Sequence, residues 1–275
     1  MLKEYQGEQA HNFFLDKEIA EKMGLGKNMV QSLQYWVFAT SIFERDGKTI
    51  QLSPFGKIIE EYDPYIDFVD TAALLHYNIV SNKQVFSAAW HWYFNLYEQR
   101  TALKEQILDS LVNWLKRNNE NSPSISSLKK DIDCIIRTYN VEESNEDPED
   151  VIRSPLSVLG LLSEKDGFVK KESVRYKNIG LIALMYVLLK YGEMEQTSSL
   201  SVEEIEHKPN LWGRVFHLER MQIIYALEKL TLSKSYPIKF IRTNRLDTIQ
   251  LPEISPIDFL MEEYRQKRIR LLSSR

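Results

Sequence analysis

The stretch from Lys27 to Tyr62 constrains this chain more than any other. Met29, Val30, Leu33, Trp36, Val37 and Thr40 recur at helical period and predict a helix over 27–40. Two β-prone runs, 42–44 and 49–52, then flank Arg45-Asp46-Gly47-Lys48. Asp-Gly between such runs is a strong hairpin signal, because a type I′ turn needs positive φ at both central residues. Ser53-Pro54 opens another helix carrying Ile58, Ile59 and Tyr62, with proline at an early helical position. Upstream, Leu15, Ile19 and Met23 fall at i, i+4 and i+8 and predict a short helix that Gly24 and Gly26 end. Helix, glycine turn, helix, hairpin, helix is the order of a winged helix. The expected fold is mainly α, with winged-helix (helix-turn-helix plus β-hairpin) subdomains joined by helical segments.

Four stretches follow from the same patterning: an N-terminal winged helix over 1–65, a helical connector over 66–118, a middle helical region with an acidic loop over 119–175, and a C-terminal unit over 176–275. The connector reads as all-helical, with helices over 72–80, 85–97 and 102–116. After a polar break, a helix over 125–139 turns Leu128, Ile132, Ile135 and Ile136 inward. Residues 142–150 carry Glu142, Glu143, Glu146, Asp147, Glu149 and Asp150 with no lysine or arginine, which predicts an exposed loop facing away from any DNA. The C-terminal unit predicts helices over 179–191, 202–207 and 218–230, with a capping box at Ser201 and Glu204. Runs at 238–241 and 248–251 flank Thr243-Asn244-Arg245 as a second wing.

The surfaces of these elements suggest chemistry. With the apolar stripe inward, the helix over 27–40 presents Lys27, Asn28, Gln31, Ser32, Gln34 and Tyr35 outward. Amide side chains pair with adenine N6 and N7 in a major groove. A helix N-terminus, where Lys27 sits, holds phosphate on its backbone N–H groups. Arg45 and Lys48 at the hairpin tip are placed to grip backbone, and Lys239, Arg242 and Arg245 mark the second wing, with Lys234 beside them. Further basic residues follow at Arg265, Lys267, Arg268, Arg270 and Arg275, which also suit a solvated helix end and tail. DNA is therefore the expected partner. The overall charge of −4 counters indiscriminate nucleic-acid binding, so affinity must come from where the cations sit. Residues 16–60 hold as many carboxylates as cations, six of each, which equally suits a non-enzymatic adaptor or a transcriptional regulator that docks partner proteins.

Other chemistries find little support. Asp63, Asp67 and Asp70 have the i, i+4, i+7 spacing of a Mg²⁺-binding helix face, but Asp63-Pro64 also reads as a helix start, where carboxylates are favoured. Asp133 and Arg137 suggest an i, i+4 ion pair. Glu206-His207-Lys208 matches the Glu-x-Lys of restriction-type nucleases only superficially, since it falls in a helix. The five histidines form no zinc-hydrolase spacing, and His91 between Trp90 and Trp92 reads as a core residue. A single cysteine, Cys134, excludes an internal disulfide or a cysteine-based metal centre and fits a reducing cytoplasm as an inert thiol. No apolar run long enough for a transmembrane helix occurs, the start is too polar for a signal peptide, and no membrane partner is expected.

Gly24-Leu25-Gly26-Lys27-Asn28-Met29-Val30, with Leu33 and Tyr35-Trp36, resembles the signature of domain-of-unknown-function family four-thousand-seven. Agreement continues at Asp63-Pro64-Tyr65, Leu74-Leu75-His76, Phe94-Asn95, Ser154-Pro155-Leu156 and Gly213-Arg214-Val215-Phe216, so that the resemblance spans residues 15–230 or so. It implies a role in bacterial DNA phosphorothioation and phage defence, with other phosphorothioation-system proteins as partners. It also implies metal-dependent nicking of DNA for sulfur insertion, with Mg²⁺ as the cofactor if that activity is present. One departure bears on the nicking: the family begins with a His-Glu-Thr-Phe segment and a following Arg and Trp, where this chain has Lys3–Phe14, and if catalysis needs those residues the resemblance implies a version that binds without cutting.

Overall fold

The structure, a computed structural model, describes residues 24, 26–47, 49–82, 88–118, 123–140, 154–243 and 246–273. The helix expected at Leu15, Ile19 and Met23, the acidic loop over 142–150, and Lys48, Arg245 and Arg275 lie outside the described residues. The described chain is mostly helical with three small antiparallel sheets.

The first unit comprises α1 (Lys27–Ala39), β1 (Phe43–Asp46), β2 (Thr49–Leu52) and α2 (Pro54–Tyr62). Asp46 stands opposite Thr49, so Asp46 belongs to the strand pair and the turn begins at Gly47, one place later than the Asp-Gly dipeptide suggested. Gly47 takes φ +59, which its missing side chain permits. Ser53 caps α2 by accepting from Gly56 N at 2.8 Å, and Pro54 fills the first turn, where no N–H is needed. Gly56 is there for closeness: a Cβ would lie 2.0 Å from the Ile42 carbonyl oxygen. Val37, Phe43 and Ile50 form a small core of their own beneath the hairpin.

The middle stretch runs through α3 (Val69–Ser81), α4 (Ala88–His91) with a π turn over Trp92–Leu96, β3 (Thr101–Leu103), α5 (Lys104–Arg117), α6 (Ile125–Tyr139), β4 (Leu162–Lys165) and β5 (Phe168–Lys171). The connector is therefore not all-helical. Ala102 pairs with Val169, and the helix expected from 102 starts at Lys104. A distant strand recruits Thr101–Leu103, which local periodicity does not register. The sheet that β3 shares with β4 and β5 joins strands from either side of residues 118–119.

The C-terminal stretch comprises α7 (Leu181–Glu195), β6 (Ser199–Ser201), α8 (Val202–His207), α9 (Trp212–Val215), α10 (Arg220–Leu230), β7 (Lys239–Ile241), β8 (Thr248–Gln250) and α11 (Pro256–Ser273). The capping box forms: Glu204 N donates to Ser201 Oγ at 3.2 Å and Ser201 N to Glu204 Oε2 at 2.8 Å. The sheet order β6-β8-β7 repeats that of β3-β5-β4. In both units a first strand leads into helices, and a returning hairpin inserts its last strand between the other two.

One continuous core joins these units, with Trp212, Tyr77, Tyr139 and Tyr264 fully buried. His76 bridges α6 and α9 through the Tyr139 hydroxyl at 2.7 Å and the Val215 carbonyl at 2.8 Å. Burial brings its pKa down to about 4, so it is neutral at ordinary pH. His91 is a core residue, as expected, with Nδ1 2.8 Å from the Val80 carbonyl. Helix α11 closes the molecule across α2 and α7: Tyr264 shares a 2.7 Å hydrogen bond with Thr71, and Arg268 donates to the Glu61 carbonyl.

Candidate nucleic-acid interface

Helix α1 forms where the sequence places it, but its faces are arranged differently. Asn28, Gln31 and Ser32 are exposed, whereas Gln34 and Tyr35 are half-buried. Tyr35 packs edge-on against Trp36, which meets Trp90 in the same manner at 5.8 Å. Burial, with Asp131 and Cys134 nearby, pushes the Tyr35 hydroxyl pKa up, so Tyr35 faces the protein rather than an open groove. Met29, expected inward, is 57% exposed. Lys27 is the first residue of α1 and Arg45 is exposed on β1, its guanidinium 5.3 Å from the Phe38 ring.

A different surface gathers positive charge. Beside α10 lies a groove of about 850 Å³, floored by Leu181, Met185 and Phe259. It continues through Tyr176, Lys177 and Lys229 into a second depression of about 370 Å³ that includes Arg175 and Tyr225. Three segments supply its cations. The turn over Tyr176–Asn178 contributes Lys177 and is tied to α10 where Tyr176 N donates to Gln222 Oε1 at 3.2 Å. The end of α10 contributes Lys229, placed where a helix C-terminus favours a cation. Lys234 follows α10, and Arg270 comes from α11. Among the described residues none of Lys177, Lys229, Lys234 or Arg270 has a carboxylate within salt-bridge distance. Tyr225, 44% exposed, and the half-buried Tyr176 and Tyr236 interleave aromatic surface with this charge.

Two acids line the larger part of the groove. Asp70 is buried and already committed, accepting from Ile182 N at 3.0 Å and Ala183 N at 3.1 Å at the start of α7 and from Lys267 Nζ at 2.8 Å. Lys267 also lies 4.1 Å above the Phe68 ring. Glu263 is half-buried, and burial pushes its carboxyl pKa up against the opposing pull of Arg270. Of the residues expected on a second wing, Lys239 is exposed on β7, and Arg242 pairs with Glu228 at 3.3 Å, joining the end of β7 to α10.

The three aspartates read as a metal face do not share a helix. Asp63 follows α2, and its carboxylate accepts from Asp67 N, Phe68 N and Thr71 Oγ1, while Asp70 lies in α3. The helix start expected at Asp63-Pro64 falls later, at Val69: Asp63 ends α2 and holds the turn before α3, whereas Asp70 caps the start of α7. Asp133 pairs with Lys104 at 3.8 Å, and Arg137 donates to its backbone oxygen instead of forming the expected ion pair. Glu206 pairs with Arg220 at 3.0 Å and lies in α8, not in a strand. Burial pushes the Cys134 thiol pKa up, in keeping with an unreactive cysteine. Among the described residues no group of three or more His, Cys, Asp or Glu side chains stands in a metal-ligating arrangement, and no helix is long and apolar enough to cross a membrane.

Arg175 and Lys177 have no part in either helix-and-hairpin pattern, and only the fold brings them to Lys229, Lys234 and Arg270. The available sequence signal was weak: isolated cations beside tyrosines at 175–177 and 225–229.

Two solved structures share this fold. A magnesium ion-bound crystal structure of SspB is 20% identical with a TM-score of 0.83, and another crystal structure of SspB is 21% identical with a TM-score of 0.83. In each case the match covers 100% of this chain and 84% of the other. No curated protein matches the chain. The model of a protein family of unknown function, DUF4007, matches residues 2–264, and this chain belongs to that family.

Proposed function

We propose that the chain is the DNA-binding component of a bacterial DNA phosphorothioation and phage-defence system, and that nucleic acid lies in the groove beside α10. The observation that carries this reading is the set of cations there without carboxylate partners, interleaved with tyrosines. A groove of this kind follows a phosphate backbone while aromatic rings stack on bases. We read both three-stranded units as winged helices, because strand, helices and returning hairpin occur in that order with the last strand central. On this reading α10 is the helix offered to DNA and β7-β8 the wing, with Lys239, Arg242 and Arg245 on or beside it. Asn28, Gln31 and Ser32 on α1 then add base contacts, while Lys27, Arg45 and Lys48 hold backbone.

The nicking implied by the family resemblance calls for Mg²⁺, and the magnesium-bound SspB structure suggests the same ion. Among the described residues no three acids, histidines or cysteines stand together as such a site requires, so the residues present do not fit it. Binding and orientation are therefore the roles assigned to these residues, and no strand-opening role is assigned to any of them.

A salt series of fluorescence anisotropy with a short labelled duplex and its single strand tests the binding. The reading expects an affinity that falls steeply as salt rises; no binding at low salt would overturn it. Incubation with supercoiled plasmid and Mg²⁺ reads nicking separately, through open circles. A second reading, an adaptor that docks proteins through α1, draws on the exposure of Met29 beside the uncharged Asn28 and Gln31.

A further inference from the structure

Away from the groove, between the π turn, β5 and the segment after α9, lies a cleft of about 180 Å³ with an unusual floor. Lys171 is only 6% exposed, yet among the described residues it meets no carboxylate within salt-bridge distance. Its ammonium donates to the Tyr93 carbonyl at 2.6 Å and the Tyr97 carbonyl at 2.5 Å and lies 4.6 Å from the Tyr93 ring. An ammonium has three N–H donors, so one is left over. His217 is 8% exposed and stacked on Phe94 at 5.4 Å, and among the described residues neither ring nitrogen has a partner in hydrogen-bond geometry. Its φ of +54 is a costly conformation for a histidine, and it sets the ring in the cleft wall.

Two arginines complete the mouth. Arg100 spends one nitrogen on Ser173 and Glu219, and Arg214 donates to the His207 carbonyl and to Glu98. The side chains of Glu98 and Glu219 are 77% and 56% exposed, so they hold the arginines from the solvent side. Glu206 at the rim is taken by Arg220 at 3.0 Å. Each nearby carboxylate thus has its own arginine, and Lys171 is the cation left without an anion. Burying an uncompensated charge and an unpaired imidazole together is unfavourable unless something arrives to pair them.

We propose that this cleft binds a small tetrahedral oxyanion, a phosphate group, held by Lys171 and His217 from below and by the spare N–H groups of Arg100 and Arg214 from the sides. The cleft suits one phosphate in size. The protonation behaviour agrees. Burial, and then Arg214, bring the Lys171 pKa down to about 7, and burial, then the Lys171 charge, hold that of His217 well below its usual value, with the Leu161 backbone acting in the opposite direction. An anion between them would restore the charged forms of both.

The test uses the intact protein at constant ionic strength. Inorganic phosphate at ~10 mM should raise the melting temperature by about 2–4 °C relative to chloride. A nucleoside 5′-monophosphate in a parallel arm distinguishes a nucleotide's phosphate from the free ion: a larger shift than with phosphate assigns the site to nucleotide ends, and an equal or smaller one to the free ion. Lys171→Met, which removes a buried charge, should fold and lose the shift. Should that variant fail to fold, phosphate-dependent movement of the His217 ring-nitrogen resonances in wild-type protein serves instead. Unchanged melting together with unmoved His217 resonances overturns the proposal, as does a Lys171→Met variant that keeps the full shift.

Discussion

The helix-and-hairpin faces near the two ends of the described chain, α1 with β1-β2 and α10 with β7-β8, are built differently. The first hairpin has two strands and rests on the three-residue cluster of Val37, Phe43 and Ile50. The second gains a third strand, and its central Ile249 is fully buried in the main core. Charge differs as well. The first face offers amides with Arg45 laid against Phe38, and the second borders a groove whose cations Lys177, Lys229, Lys234 and Arg270 have no carboxylate within salt-bridge distance among the described residues. Base contacts confer sequence preference and phosphate contacts confer most of the affinity. Under the proposed DNA-binding reading, affinity belongs to the C-terminal groove and sequence preference to α1.

The largest expected effect concerns the anchoring of the groove. Asp70→Ala strands Lys267 and two N–H groups of α7 and should cost about 3–5 kcal/mol of stability in denaturant unfolding. Asp46→Ala on the exposed first hairpin should cost under about 0.5 kcal/mol. Similar losses at both sites would erase the contrast. Next, Lys177→Glu combined with Lys229→Glu should weaken DNA binding at least ~tenfold at ~0.1 M salt and flatten the slope of log affinity against log salt by about 2. Arg45→Glu should change affinity less than ~threefold, and the reverse ranking would move the binding surface to the first hairpin.

A smaller effect is expected at Tyr225, where alanine should lower single-strand affinity about fivefold, the loss of one stacked base, and duplex affinity less. Equal losses on both substrates would argue against stacking. The smallest is a pH effect. Burial raises the Glu263 pKa, so this carboxyl takes a proton at a pH above the ordinary carboxylate range. Below that raised pKa the groove carries one negative charge fewer, so DNA affinity should rise about twofold as pH falls through it. Glu263→Gln should hold affinity at the higher level throughout that window, and an unaltered pH profile in the variant would exclude Glu263 as the source.

Local signals read well from the sequence wherever their cause was local. Helices over 125–139 and 202–207 occur as expected, and Ser201 with Glu204 caps the second of them. Both hairpins anticipated from turn chemistry form. A third, β4-β5, carries the same Asp-Gly signal at Asp166-Gly167, with φ of +52 and +80, and went unread between helical stretches. Thr101–Leu103 escaped because its strand character comes from Val169 and its neighbours, far along the chain. Met29 fits the helical stripe by spacing, yet α1 turns it to solvent, since periodicity gives a face and not what covers it. The groove was illegible for a similar reason. Lys177, Lys229 and Arg270 lie in separate segments, and only the packing of α7, α10 and α11 brings them together.

Photo-crosslinking of 4-thiothymidine DNA to the intact protein, with adducts mapped by mass spectrometry, tests the assignment of the groove most directly. The account predicts adducts at Tyr176, Tyr225 or Tyr236 that high salt abolishes. Adducts confined to α1 and the first hairpin would contradict it.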